Sequence, residues 1–242
     1  MLEGDNVTKY FGGLAALKDV SFAVRDKEIV GLIGPNGAGK TTLFNVISGV
    51  YKPTSGIIKF KGRKISGKKQ EEICKLGISR TYQIPRPFLE MSCLENVMVG
   101  TLFGKDRSIA LEEAREEALQ CLKFVGLTDK KEVLVKNITI TDRKKLEIAR
   151  ALATKPEIVL LDEVMAGLNP TETLEAMKLI RRIRDELGIT IFWIEHVIKA
   201  VTGVAERIIV LNYGEVIAVG SPEEVVNDAK VISAYLGAKI KP

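Results

Sequence analysis

A chain of 242 residues with 46 % apolar side chains is long and apolar enough for one large α/β domain, or for a core with inserted subdomains, which excludes a disordered or fibrous protein. With 36 Lys and Arg against 31 Asp and Glu, the net charge of +5 is spread along the chain and forms no basic arm, so nucleic acid is not an expected partner. The dispersed Cys74, Cys93 and Cys121 and the single histidine, His196, exclude a zinc site, and no apolar run approaches the ~18 residues of a membrane-spanning helix.

The first thirty residues read as short strands. Residues 20–24 alternate, 26–28 make a polar turn, and the apolar run 28–33 is a strand that enters a glycine-rich loop. That loop is Gly34, Pro35, Asn36, Gly37, Ala38, Gly39, Lys40, Thr41 and Thr42, and it fits G-x-x-x-x-G-K-[ST]. Backbone N–H groups wrap a polyphosphate only where side chains stay clear, which selects the glycines. Lys40 then reaches the β- and γ-phosphates, Thr41 offers its hydroxyl to Mg²⁺, and a helix starting at Lys40 points its positive end at the phosphates. Gly49 should stop that helix.

Residues 56–60 and Ile65, joined by the turn 61–63, should add to an antiparallel flank. A short helix is expected before Gly77, then extended chain over 78–82 running to Gln83, where Pro85 and Pro87 break regular structure. From 94 to about 152 the chain is helix-rich, with Ile109, Leu111, Ala114, Ala118, Leu119 and Leu122 on one face. Residues 157–161 form a continuous apolar run, a strand buried on both sides, ending in the carboxylates Asp162 and Glu163. Asn169, Pro170 and Glu172 then open a helix carrying Leu174, Met177, Ile180, Ile183 and Leu187, stopped by Gly188. A strand over 189–194 leads to His196, a hairpin turns at Tyr213 and Gly214, and Ser221 with Glu224 caps the final helices. This order of elements predicts a mostly parallel sheet with its ligands at the carboxyl edge.

Adjacent carboxylates at the end of a strand point to opposite sides. Asp162 can hold Mg²⁺ while Glu163 polarises a water for in-line attack on the γ-phosphorus. An imidazole at His196 could bond to the γ-phosphate, and the neutral Gln83 could contact Mg²⁺ or the lytic water.

Phe11, the phosphate loop, the lone Gln83, Leu160-Leu161-Asp162-Glu163, the turn Gly167-Leu168-Asn169 and His196 follow the order of ATP-binding-cassette ATPases, which the chain resembles over essentially its whole length. Residues 9–14, 77–83, 146–151, 166–170 and 222–237 resemble most closely the cassettes of branched-chain amino acid importers, and cassettes for urea or lipopolysaccharide transport share much of this wording. The resemblance implies an α/β fold: a P-loop NTPase (RecA-like) core with an antiparallel β flank and an inserted helical subdomain. Residues 1–30 and 55–66 would be the flank, 31–50 and 152–220 the nucleotide-binding core, 84–151 the helical signature subdomain and 221–242 the C-terminal helices. It further implies ATP and Mg²⁺ as ligands, adenine stacking on Phe11, phosphate contacts from residues 34–42, and metal contacts from Thr41, Gln83 and Asp162. Glu163 would be the general base, His196 the γ-phosphate switch, and Gln83 the coupling residue.

The same resemblance implies a place on the inner face of the cell membrane, bound to integral-membrane permease subunits and indirectly served by a solute-binding protein. Two cassettes would sandwich two ATP molecules, each γ-phosphate meeting the other subunit's signature loop. Here the chain departs from the family pattern Leu-Ser-x-Gly-Gln. Thr139 keeps a hydroxyl for the helix cap and a phosphate oxygen, but Gly is replaced by Thr141 and Gln by Asp142. The branched Thr141 should crowd the approach and Asp142 should repel a polyanion, with residues 143–145 offsetting part of the repulsion. The second cassette would make a homodimer or, more in keeping with this loop, a heterodimer, in which one of the two sites would be impaired. Val164 also replaces the usual Pro after the base. Pro85, Pro87, Phe88, Leu89 and Met91 make a loop too apolar for a solvated connection, suited to a helix of the permease. A soluble mechanical ATPase of translation or DNA repair is disfavoured by the single cassette without coiled-coil insertion. A low-turnover regulatory subunit is kept open by the signature loop.

Overall fold

The computed structural model describes residues 1–105 and 109–237; residues 238–242 of the expected C-terminal segment lie outside them. In chain order the elements are β1 (Leu2–Phe11), β2 (Leu14–Val24), β3 (Ile29–Ile33), α1 (Lys40–Ile47), β4 (Ser55–Phe60), β5 (Arg63–Lys64), α2 (Gln70–Lys75) and β6 (Ile78–Arg80). Then come α3 (Cys93–Phe103), α4 (Leu111–Val125), α5 (Ile140–Ala153), β7 (Ile158–Asp162), α6 (Pro170–Leu187) and β8 (Thr190–Ile194). The chain closes with α7 (Ile198–Val204), β9 (Arg207–Asn212), β10 (Glu215–Gly220), α8 (Pro222–Asn227) and α9 (Ala229–Gly237). Residues 71–164 form one compact unit, and 1–70 together with the chain from Met165 onward form the other. Neither boundary coincides with those expected from the sequence, because β6 and β7 group with the helical segment between them.

The first unit holds two sheets. One is antiparallel in the order β2-β1-β4-β5; in the other β3 lies parallel to β8 and β9, with β10 antiparallel to β9. Every residue of β3 and β8 is buried, Thr190 at the start of β8 included, as in strands covered on both faces. Phe192 stacks on Phe22 at 5.8 Å and meets Phe44 of α1 at 5.1 Å, so the helix after the phosphate loop is packed through aromatic rings to the strands behind it. The hairpin turn is tight: Tyr213 and Gly214 have φ of 46° and 80°, the left-handed pair of a two-residue connection. Helix α6 starts at the Asn169 capping box with Pro170 in its first turn and ends at Gly188, as its sequence signals.

In the second unit β6 and β7 run parallel, and α3, α4 and α5 pack around Val97, Ala114, Ala118, Leu122, Leu146 and Ala149, all buried. Two apolar stripes are shorter than their spacing suggested. Leu111 at the start of α4 is 64 % exposed, and on α6 Leu174 and Leu187 are exposed while Leu179, Ile180 and Ile183 are buried.

Candidate active site

In the first unit β3 delivers the chain into the phosphate loop. Gly34 has φ 152°, and a Cβ there would lie 2.1 Å from the Leu211 carbonyl oxygen; at Gly39, with φ 103°, it would lie 2.6 Å from the Ala16 carbonyl. Glycine is therefore required by backbone crowding from β9 and β2 as well as by the ligand. The loop is fixed by Ala38 N–H donating to Pro35 O at 3.2 Å and Gly214 N–H donating to Ala38 O at 3.0 Å. Lys40 is 5 % exposed, and its ammonium donates to the carbonyls of Gly34 (2.7 Å) and Pro35 (3.0 Å), which hold the charge across the loop. Gly39 caps α1 without a side-chain bond and no acidic residue occupies the first turn, so the helix end keeps its positive character. Thr41, Asn36 and Gly37 are exposed; Pro35 and Thr42 are half-buried.

Phe11 ends β1, 42 % exposed, with Tyr51 edge-on at 5.1 Å and the Lys9 ammonium 5.0 Å from its ring. Tyr51 has no motif around it and sequence reasoning passed over it. Burial pushes the Tyr235 phenol of α9 above its usual range, an effect the Gly34 backbone partly opposes. His196 is exposed just past β8, and its backbone N–H donates to Glu195 Oε2 at 2.9 Å. Glu195, 1 % exposed, accepts with its other oxygen from Met165 N–H at 2.8 Å. A glutamate inside an apolar run's end was the available signal for this brace.

In the second unit the C-terminal end of β7 carries Asp162 and Glu163, 2 % and 7 % exposed. They serve different partners, as two adjacent residues leaving a strand should. Arg80 Nη2 donates to Asp162 Oδ2 at 2.7 Å, and Gln83 Nε2 donates to Glu163 Oε2 at 2.5 Å. Glu163 has φ 49°, a left-handed conformation that a side-chain-bearing residue adopts at a cost of order 1–3 kcal/mol and that clusters at functional sites. Arg80 was legible only as part of the stretch 77–83; no spacing rule singled it out. Thr41, Gln83 and Asp162, the residues expected to hold Mg²⁺, offer a hydroxyl, an amide oxygen and a carboxylate. These are the hard oxygen donors Mg²⁺ takes alongside water and phosphate. Among the described residues no cluster of three or more His, Cys, Asp or Glu makes a metal site by itself.

The signature loop lies at the start of α5 in the same unit. Thr139 is the N-cap: its hydroxyl accepts from Asp142 N–H at 3.1 Å and donates to Asp142 Oδ2 at 2.7 Å. Lys130 donates to the same oxygen at 2.6 Å. Burial pushes the Asp142 carboxyl up, but the bonds from Lys130 and Thr139 outweigh it and hold the group below its ordinary value. The expectation assigned part of the offset to residues 143–145 and did not include Lys130. Lys130 is a bonded counter-charge of Asp142, and the Arg143 guanidinium turns to the carbonyls of Val135 (3.2 Å) and Lys136 (2.9 Å). A 3₁₀ turn at Thr128–Lys130 brings Lys130 to this place, which the sequence spacing did not reveal.

The apolar loop after Gln83 exposes Ile84, Phe88 and Leu89 at 72 %, 48 % and 45 %. It is held from below by the fully buried Asn96, which accepts from Phe88 N–H at 2.8 Å and donates to Phe88 O at 2.9 Å. Arg150 of α5 donates to Arg86 O at 3.2 Å and to Glu147 at 2.6 Å, with its guanidinium 5.4 Å from the Phe88 ring.

A phosphate loop feeding a helix, and a buried strand ending in two separately held carboxylates, define a nucleoside-triphosphate-hydrolysing cassette. The sequence pattern of the ABC transporter family matches residues 17–166, and the chain belongs to that family as an ATP-binding cassette, an ATPase coupled to transport. A second pattern, "Branched-chain amino acid ATP-binding cassette transporter", matches residues 215–240. The high-affinity branched-chain amino acid transport ATP-binding protein LivG of Salmonella typhimurium is 44 % identical over 239 residues, covering 94 % of each chain. The crystal structure of a nucleotide-free cassette from an ABC transporter superposes with a TM-score of 0.89 at 32 % identity, over 97 % of this chain and 98 % of the other. A dimeric cassette in a post-hydrolysis state, bound to ADP and Pi, does so with 0.83 at 30 % identity, over 92 % and 99 %.

Proposed function

We propose that this chain is the ATP-hydrolysing subunit of an importer for branched-chain amino acids, working on the inner face of the membrane with permease subunits and a second cassette. The similarity to LivG over nearly all of both chains and the match at residues 215–240 support the cargo class. The carrying observation for the chemistry is the end of β7, where Glu163 is held by Gln83 apart from the arginine-paired Asp162. In this reading ATP stacks its base on Phe11, and the backbone of Gly34, Gly37 and Gly39 with the Lys40 ammonium takes the phosphates. Thr41, Asp162 and Gln83 would hold Mg²⁺, which when bound neutralises charge on the β- and γ-phosphate oxygens. Glu163 takes a proton from water as its oxygen bonds to the γ-phosphorus, and the bond to the bridging oxygen breaks, leaving ADP with the electron pair and releasing inorganic phosphate. His196 donates to the γ-phosphate. Exposed Ile84, Phe88 and Leu89 receive the permease, and Thr139 contacts the partner's nucleotide.

The reading is tested with Glu163→Gln, which keeps the hydrogen bonding of the side chain but cannot take the proton. Steady-state hydrolysis should fall by about 10²–10⁴-fold while equilibrium ATP binding is preserved. Undiminished hydrolysis would remove Glu163 from the mechanism. It would favour a second reading, a low-turnover regulatory subunit, for which Thr141 and Asp142 in the signature loop speak.

A further inference from the structure

One four-residue segment holds both carboxylates at the end of β7. Strand β6 pairs with β7 through Ile78↔Ile158, Ser79↔Val159 and Arg80↔Leu160. The chain then continues alongside: Thr81 N–H donates to Leu160 O at 3.0 Å, and Asp162 N–H donates to the Thr81 hydroxyl at 3.2 Å. Gln83 completes the segment on Glu163, and Arg80 begins it on Asp162. The Arg80–Asp162 ion pair is enclosed, with side chains 5 % and 3 % exposed. The guanidinium lies 5.1 Å from the Tyr82 ring, which fixes its plane.

The guanidinium beside this buried carboxylate is a fixed positive charge, because arginine does not give its charge up. A divalent cation serving the same carboxylate brings a second positive charge against the first, in surroundings where water screens poorly. We propose that Arg80 is the resident counter-ion of Asp162 and sets how strongly the site holds Mg²⁺. Its guanidinium holds Asp162 in place without metal, and opposes the metal when the nucleotide brings it. Arg80 is thus a positioning residue whose effect appears in the metal dependence of nucleotide binding. The inference rests on Asp162 serving Mg²⁺, and its test separates the two.

Nucleotide affinity is measured for the natural chain, Arg80→Gln, Arg80→Lys and Asp162→Asn, with excess Mg²⁺ and with EDTA. Glutamine keeps a donor for Asp162 and removes the charge. The ratio of affinity with metal to affinity without it should rise about fivefold or more in Arg80→Gln and stay near the natural value in Arg80→Lys. An unchanged or lower ratio in folded Arg80→Gln overturns the inference. Asp162→Asn should collapse the ratio; if it does not, the assignment of Asp162 to the metal fails instead. Should Arg80→Gln not fold, the ¹⁵N side-chain resonance of Arg80 in the natural chain decides. It should move with Mg²⁺-nucleotide and stay in place with nucleotide in EDTA, and identical spectra overturn the inference.

Discussion

At the scale of single residues, the phosphate loop is constrained twice over, by its ligand and by its neighbours. A methyl group at Gly34 would meet the Leu211 carbonyl at 2.1 Å in a backbone conformation that L-residues avoid. Gly34→Ala should therefore lower thermal stability by roughly 1–3 kcal/mol and abolish detectable ATP binding, both read from melting curves with and without nucleotide. Stability equal to the natural chain would show that β9 gives way. Residues of this kind were legible because the motif fixes them one by one: Lys40, Asp162 and Glu163 stand where their spacing put them. Arg80, Lys130, Tyr51 and Glu195 were not, because each acquires its role from a partner distant in sequence. Lys130 and Asp142 are joined by a 3₁₀ turn, and Arg80 and Asp162 by a parallel strand pair, neither of which a local pattern encodes.

Elements were legible wherever a local signal had a local cause. The capping boxes at Asn169 and Ser221 and the stop at Gly188 formed as their residue types dictate. The apolar stripes gave the inward side of α4 and α6 but not how far their neighbours reach, so Leu111, Leu174 and Leu187 lie in solvent. Between elements, charge supplies a pH-dependent fastening. Arg207 at the start of β9 donates to both oxygens of Glu28, just before β3, at 2.8 and 2.9 Å. Burial raises the Glu28 carboxyl, but the bonds from Arg207 and from the Arg25 backbone bring it below its usual 4.5. A depressed carboxyl contributes stability that is complete above the unfolded value and is lost as pH falls through the folded one. Melting temperatures should therefore drop on acidification below about pH 4.5 more steeply for the natural chain than for Glu28→Gln. Parallel curves would mean that the pair contributes nothing.

At the scale of the whole molecule the proposed function makes contact with another cassette decisive, and in that reading the signature loop is what this chain would offer it. Its two departures are not equivalent. Asp142 is 7 % exposed, its carboxylate shared between the Thr139 hydroxyl and the Lys130 ammonium, so most of its repulsion toward a polyanion is already cancelled within the unit. Thr141 departs by size instead, and in the proposed dimer its branched side chain would crowd the approach of backbone to phosphate. Crowding of this type costs on the order of 1–3 kcal/mol, whereas an ion-paired charge near a helix end is worth about 1 kcal/mol or less. In the Glu163→Gln background, expected to slow turnover, Thr141→Gly should strengthen ATP-driven dimerisation by about tenfold or more. Asp142→Gln alone should change it by less than about fivefold, because removing the carboxylate also leaves Lys130 to face the phosphates. Sedimentation with and without ATP measures both. If neither substitution moves the dimerisation constant, the loop is competent as it stands and two identical copies suffice; if Asp142→Gln has the larger effect, the Lys130 pair does not neutralise the carboxylate in the dimer.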